Sequence, residues 1–205
     1  MRHLLHPAFF ANVAHFVAMA KGPFVFEKED NYQKQTYRNR TYIYSANGVQ
    51  MLSVPIKHSG NPQGHQKYKD VILEDNFDWK KQHWKTIQTA YRTSPFFEYY
   101  EDELIPFFEK KHHRLYDMNL ESIELLAEIM QMDLEFEYTG SFEKTPSETA
   151  DQRPLINAKS GVDHGFSSYT QVFGDRHGFI PNLSILDLLF NEGPNALSYL
   201  ESQSL

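Results

Sequence analysis

The chain contains no cysteine. A disulfide framework, a thiolate zinc site and a thiol nucleophile are therefore excluded, and the composition fits a reducing compartment. No run of ~18 uninterrupted apolar residues occurs, so no helical membrane span is expected. The N-terminal Leu4-Leu5 run is broken at once by His6-Pro7, too short for a secretory signal, and the cytoplasm is the expected location. A phosphate-cradling Walker loop, a dinucleotide glycine fingerprint, a metalloprotease His-Glu-x-x-His and a serine nucleophile elbow are all missing. Internal repeats and low-complexity tracts are missing too. Positive charge is in short supply: 20 Lys and Arg against 27 Asp and Glu give a net charge of −7, which argues against general nucleic-acid binding or anionic membrane surfaces.

What is present is ordinary length and unusual aromaticity. At 205 residues the chain fits a single domain with a core large enough to need no staples. Phe, Tyr and Trp make up 15% of it, enough for a ring-rich core or a ring-lined cleft. Leu4-Leu5 reads as a first strand. Val13, Phe16, Val17 and Ala20 share one face of a helix capped by Asn12 and stopped by Lys21-Gly22-Pro23. Phe24 to Glu27 reads as a second strand, which completes a β-α-β unit. Asn47-Gly48, between β-rich runs at 41–45 and 50–56, predicts a hairpin. Residues 58–69 read as a polar loop and 69–74 as a further strand.

The middle is helical. Asp78 caps a helix with Trp79, His83, Ile87, Ala90 and Tyr91 on its apolar side and Lys81, Lys85 and Arg92 opposite. Pro95 opens the next helix at the tolerated first position, and Pro106 is expected to kink or split it. Asn119 is expected to cap a third helix. Leu134 to Tyr138 alternates as a strand, 139–167 is expected to be a long loop, and Asn182 is expected to cap a C-terminal helix that Gly193 stops. The expected fold is α/β. Its mixed sheet starts with the β-α-β unit and hairpin, and helices from 78 to 132 and from 183 to 203 pack on it.

Lys34, Arg38 and Arg40, interleaved with tyrosines, form the one basic stretch. Alternation places Arg38 and Arg40 on one side, where two guanidiniums can grip a phosphate or a carboxylate; a solvated edge is the competing role. His6 and His15 flank the first strand–helix junction, and His83 sits one turn past Trp79. An imidazole suits proton transfer near neutrality, though each of the three can equally be a structural histidine. Ser184, Asp187 and Asn191 recur on one face of the last long helix. The acids Asp70, Glu74, Asp75 and Asp78 are a candidate metal cluster, set against the fact that loop acids near strand ends are commonly structural.

Several stretches together resemble the WbqC-like family. They are His6 to Phe16, Asn39-Arg40 followed by Leu52-Ser53-Val54-Pro55, Trp79 with His83, Ser94 to Phe97, Tyr169-Thr170-Gln171, and Phe179 to Asn191. The chain departs from the family pattern at His6, where many members have Gln, at Ala11, where they have a second Pro, and at Ser160-Gly161, a reduced middle segment. The resemblance implies surface-polysaccharide chemistry, such as O-antigen synthesis: transfer of a small acyl or aminoacyl (glycyl-like) group to an amino-sugar nucleotide. On that reading Lys34, Arg38 and Arg40 hold the diphosphate, and His83 or His15 is the general base. His6, Tyr32, Asn39, Tyr169 and Gln171 contact the substrate. A non-catalytic sugar-nucleotide binder or scaffold and a nucleotidyltransferase-like enzyme are the alternatives. The cofactor stays open, as does self-association into a homo-oligomer.

Overall fold

A computed structural model describes residues 2–57 and 66–205. Residues 58–65 of the expected polar loop lie outside the described residues. Strand β1 (Arg2–Leu5), helix α1 (Val13–Ala20) and strand β2 (Phe24–Phe26) form the β-α-β unit, with β1 and β2 parallel. Asn12 caps α1 by accepting from His15 N at 3.1 Å. Every residue from Val13 to Met19 is buried, because the sheet takes one side of α1 and the C-terminal helices take the other. Strands β3 (Arg40–Ser45) and β4 (Gly48–Ser53) pair antiparallel, from Arg40 opposite Ser53 to Ser45 opposite Gly48. This hairpin is a two-stranded sheet of its own.

Helices α2 (Trp79–Tyr91), α3 (Phe97–Glu109) and α4 (Leu115–Ile129) follow. Then come β5 (Phe136–Tyr138), β6 (Thr149–Asp151), a short α5 (Gly174–His177), α6 (Ile185–Glu192) and α7 (Ala196–Ser202). The main sheet has the order β5-β2-β1-β6 and is parallel throughout. Rings fill the space between the loop after β1 and the helices. Phe10 stacks on Phe108 at 5.4 Å and meets Phe107 edge-on at 5.0 Å. Burying each such ring contributes about 1.5–3 kcal/mol.

Several expectations are corrected. Residues 69–74 form no strand; a 3-10 turn at Tyr68–Asp70 leads into single bridges, Ile56 to Leu73 and Ile72 to Arg114. Asn119 caps nothing, because Leu115 and Tyr116 are buried and pull the start of α4 back to Leu115. Its buried amide instead donates to Arg38 O at 2.6 Å and to Tyr68 Oη at 2.5 Å. Helix α3 starts two residues after Pro95, and Pro106 does not split it. Ser184 caps α6, while Asn182 reaches across to accept from Ala14 N at 2.9 Å. The 139–167 stretch hides β6 and a 3-10 turn at Arg153–Ile156.

Candidate functional site

From β1 the chain steps to β2 and then to β5 on one side, and later returns to place β6 on the other side of β1. In an open parallel sheet, that reversal opens a crevice beyond the carboxyl ends of the two strands. The crevice is occupied by polar side chains: His6 directly follows β1, Asp151 ends β6, and Arg153 follows it. A cavity of about 450 Å³ opens here. Its charged lining is Lys34, Arg38, Arg153 and Lys159 against Asp30 and Asp151. Gln33, Gln35, Thr36 and Asn157 add polar groups, and Phe142, Pro154 and Ile156 add apolar wall. Four cations to two carboxylates make a positive site in a negative protein.

One carboxylate organises it. Asp30 Oδ2 accepts from His6 Nε2 at 2.8 Å and from Arg38 Nη2 at 3.0 Å. Because the carboxylate only accepts, His6 carries its proton on Nε2. Its Nδ1 is left with a lone pair and no partner among the described residues. Burial pushes His6 down to about 4; the bond to Asp30 opposes the shift and the Arg38 charge adds to it. Burial pushes the Asp30 carboxyl up, but the bond to His6 and the charges beside it outweigh this and hold it below its ordinary value. The Arg38 guanidinium is buried, lies 5.2 Å over the Tyr68 ring, and has no partner for Nε among the described residues. Arg153 is held bidentate by Asp151, at 2.8 Å through Nε and 2.8 Å through Nη2. The wall contains backbone strain as well: Gln35 sits at φ 62°, a region side chains seldom adopt.

A second cavity of about 440 Å³ adjoins the first, with Pro154 and Asn157 lining both. Asn12, Tyr37, Ser160, Asp163, His164 and Asn182 give it a neutral to acidic polar lining. His15 donates from Nδ1 to Asn12 Oδ1 at 2.8 Å, which fixes that amide.

The WbqC-like family model matches residues 7–164 and 156–199. The chain belongs to the WbqC-like family. This WbqC-like protein is 27% identical over 206 residues to an uncharacterized protein of Mycobacterium tuberculosis, covering 86% of this chain and 87% of that one. No solved structure matches it.

In this WbqC-like protein the expected site residues separate into groups. Lys34, Arg38 and His6 meet in the first cavity. Arg40 does not line it: β3 begins only at Arg40, so Arg38 lies in the preceding turn and strand alternation does not relate the two. Tyr32 lies behind the cavity with its ring 6.3 Å from Tyr68, and burial raises its hydroxyl to about 12. Asn39 donates to Val54 O at 3.3 Å and ties the turn to the end of the hairpin. His15 is fully buried, and burial lowers it to about 3. His83 is packed 5.0 Å from Trp79 and 5.9 Å from Phe9, and burial lowers it to about 4. Neither lines either cavity.

Tyr169 and Gln171 turn to the buried Asp187, which accepts from Tyr169 Oη at 2.7 Å, Gln171 Nε2 at 2.7 Å and Tyr91 Oη at 2.9 Å. Sequence reasoning missed Asp30, Asp151, Arg153 and Lys159. The available signal was the Asp151-Gln152-Arg153-Pro154 spacing, which sets a carboxylate and a guanidinium on one side of a turn.

Proposed function

We propose that this protein is a transferase that moves a small acyl or aminoacyl (glycyl-like) group onto the amine of an amino-sugar nucleotide for surface-polysaccharide synthesis. The observation that carries the reading is the convergence of four cations and the His6–Asp30 pair on the crevice where strand order reverses. Lys34, Arg38, Arg153 and Lys159 hold the diphosphate, and oriented guanidiniums suit its paired oxygens. The adjoining cavity takes the sugar, with Asn12, Tyr37 and Asn182 facing its hydroxyls.

The acceptor amine attacks the carbonyl carbon of an activated acyl donor, a thioester or acyl phosphate. A C–N bond forms and the bond to the donor's leaving group breaks. The amine's proton passes to the His6–Asp30 pair and then to the leaving group. Asp30 orients the imidazole through Nε2 and faces the proton while the pair holds it.

Thermal denaturation against UDP- and dTDP-amino sugars, ATP with Mg²⁺, and coenzyme A tests this, since a ligand bound only by the native state raises the melting temperature. A rise is expected with the sugar nucleotides, lost in the exposed-cation variants Lys34→Ala and Lys159→Ala. His6→Asn is expected to keep that rise and lose turnover. A rise with ATP and Mg²⁺ alone would favour nucleotidyl transfer, and a rise without turnover in the intact protein a binding role. No rise with any sugar nucleotide would overturn the reading.

A further inference from the structure

A separate cavity of about 450 Å³ lies at the other side of the helical middle, between the start of α2 and the segment after α3. Its apolar walls come from Leu73, Phe77, Trp79 and Phe108. The Lys80 side chain enters it from α2. The Lys80 ammonium nitrogen lies 5.7 Å from the Trp79 ring and 5.7 Å from the Phe107 ring. It donates to Lys110 O at 2.5 Å and is in direct contact with His112 Nδ1. Behind that imidazole, His112 Nε2 lies 3.3 Å from Glu121 Oε2. Among the described residues no carboxylate is within ion-pair distance of Lys80 Nζ. Lys80 is half-buried, so its amine is open to a ligand as well as to water. Here the amine meets rings, a carbonyl and a neutral imidazole, and the carboxylate stands one residue further back.

We propose that Lys80 is a nucleophilic amine, served by His112 and Glu121, in a second site that condenses with a small aromatic or aliphatic aldehyde to form a Schiff base. The amine nitrogen attacks the carbonyl carbon and a C–N bond forms. One amine proton moves to His112 Nδ1, with Glu121 steadying the imidazolium. The carbinol C–O bond then breaks, and the oxygen leaves as water with both amine hydrogens, one of them returned by His112. No oxidant or reductant is needed. The rings of Phe77, Trp79 and Phe108 take the carbonyl's substituent, in a lining that also carries Glu74, Asp75, Asp78, Glu109, Lys110 and Lys111.

The electrostatics favour the same chemistry. Burial lowers Lys80 to about 8, with Lys110 adding to the shift and Glu121 and Asp75 opposing it. Burial also lowers His112, helped by Lys80 and opposed by Glu121, so the imidazole is free to accept. Glu74, Asp78, Glu109 and Lys111 are the other charged groups lining the cavity. This site is independent of the proposed sugar-nucleotide cavity, and failure of either leaves the other standing.

The test is reductive trapping of the full chain at pH 7 with benzaldehyde and cyanoborohydride, with the modified lysines located by peptide mass spectrometry. Lys80 is expected to react roughly tenfold faster than the exposed Lys85 and Lys111, because its larger free-base fraction outweighs its lower intrinsic nucleophilicity. Its rate should rise to a plateau through about pH 8. His112→Asn and Glu121→Gln should slow it several-fold, and Lys80→Arg should remove the adduct. Labelling of Lys80 no faster than Lys85 in the native protein would overturn the proposal without any variant. Equal rates in folded His112→Asn would also overturn it.

Discussion

A buried imidazole that stays neutral makes folding sensitive to acid. His83 has a folded value near 4 against about 6.5 when unfolded, and burial is the main cause. Between those two values the unfolded chain binds a proton that the folded chain refuses. Stability is therefore complete above about pH 6.5 and falls as pH drops toward about 4, by on the order of 3 kcal/mol for a shift of this size. His15 acts in the same direction over a window reaching about 3. His83→Phe should flatten the slope between pH 7 and pH 4.5 in urea unfolding, and an unchanged slope would show that His83 is solvated. That burial is not visible in the sequence, where His83 and His15 stand out as bases on imidazole chemistry alone. An imidazole's spacing on a helix is visible in sequence; that its ring is sealed behind Phe9 and Trp79 depends on the tertiary packing.

Elements with strong local signals were legible, and those built on tertiary contacts were not. Asn12, Asp78 and the Asn47-Gly48 turn act where their chemistry says, since a cap or a tight turn is settled within a few residues. Strand β6 is three residues of Thr149–Asp151, with no period to read, and it exists because β1 offers an edge. It therefore hid inside an apparent loop, and half of the cavity's charge hid with it. Gly193 is a local signal with an added constraint. It closes α6 at φ 52° and ψ −120°, and a Cβ there would lie 2.5 Å from the Phe96 ring. Gly193→Ala should cost about 2 kcal/mol or more, from strained backbone plus a displaced ring. A loss below roughly 0.5 kcal/mol in chemical denaturation would show that the ring moves freely.

Across the molecule, a net charge of −7 surrounds one crevice where cations outnumber carboxylates. On the proposed function, a sugar nucleotide would be drawn there by a local field, and exposed Lys34 and Lys159 carry the part of that field that salt screens. Raising NaCl from 50 to 500 mM should weaken UDP binding about tenfold, measured calorimetrically, and Lys34→Ala should reduce that dependence. A salt-independent affinity would place the nucleotide elsewhere. The loop that presents His6 carries Phe10 at φ 37°, pinned through its carbonyl by Thr41 Oγ1 and by Ser184 Oγ, each at 2.9 Å. Ser184 is 174 positions away along the chain. A ribosome must therefore synthesise residue 184 before residue 10 can settle, so the earliest part of the crevice to be translated is among the last to be set. Any nascent or clipped polypeptide ending before α6 should bind no nucleotide.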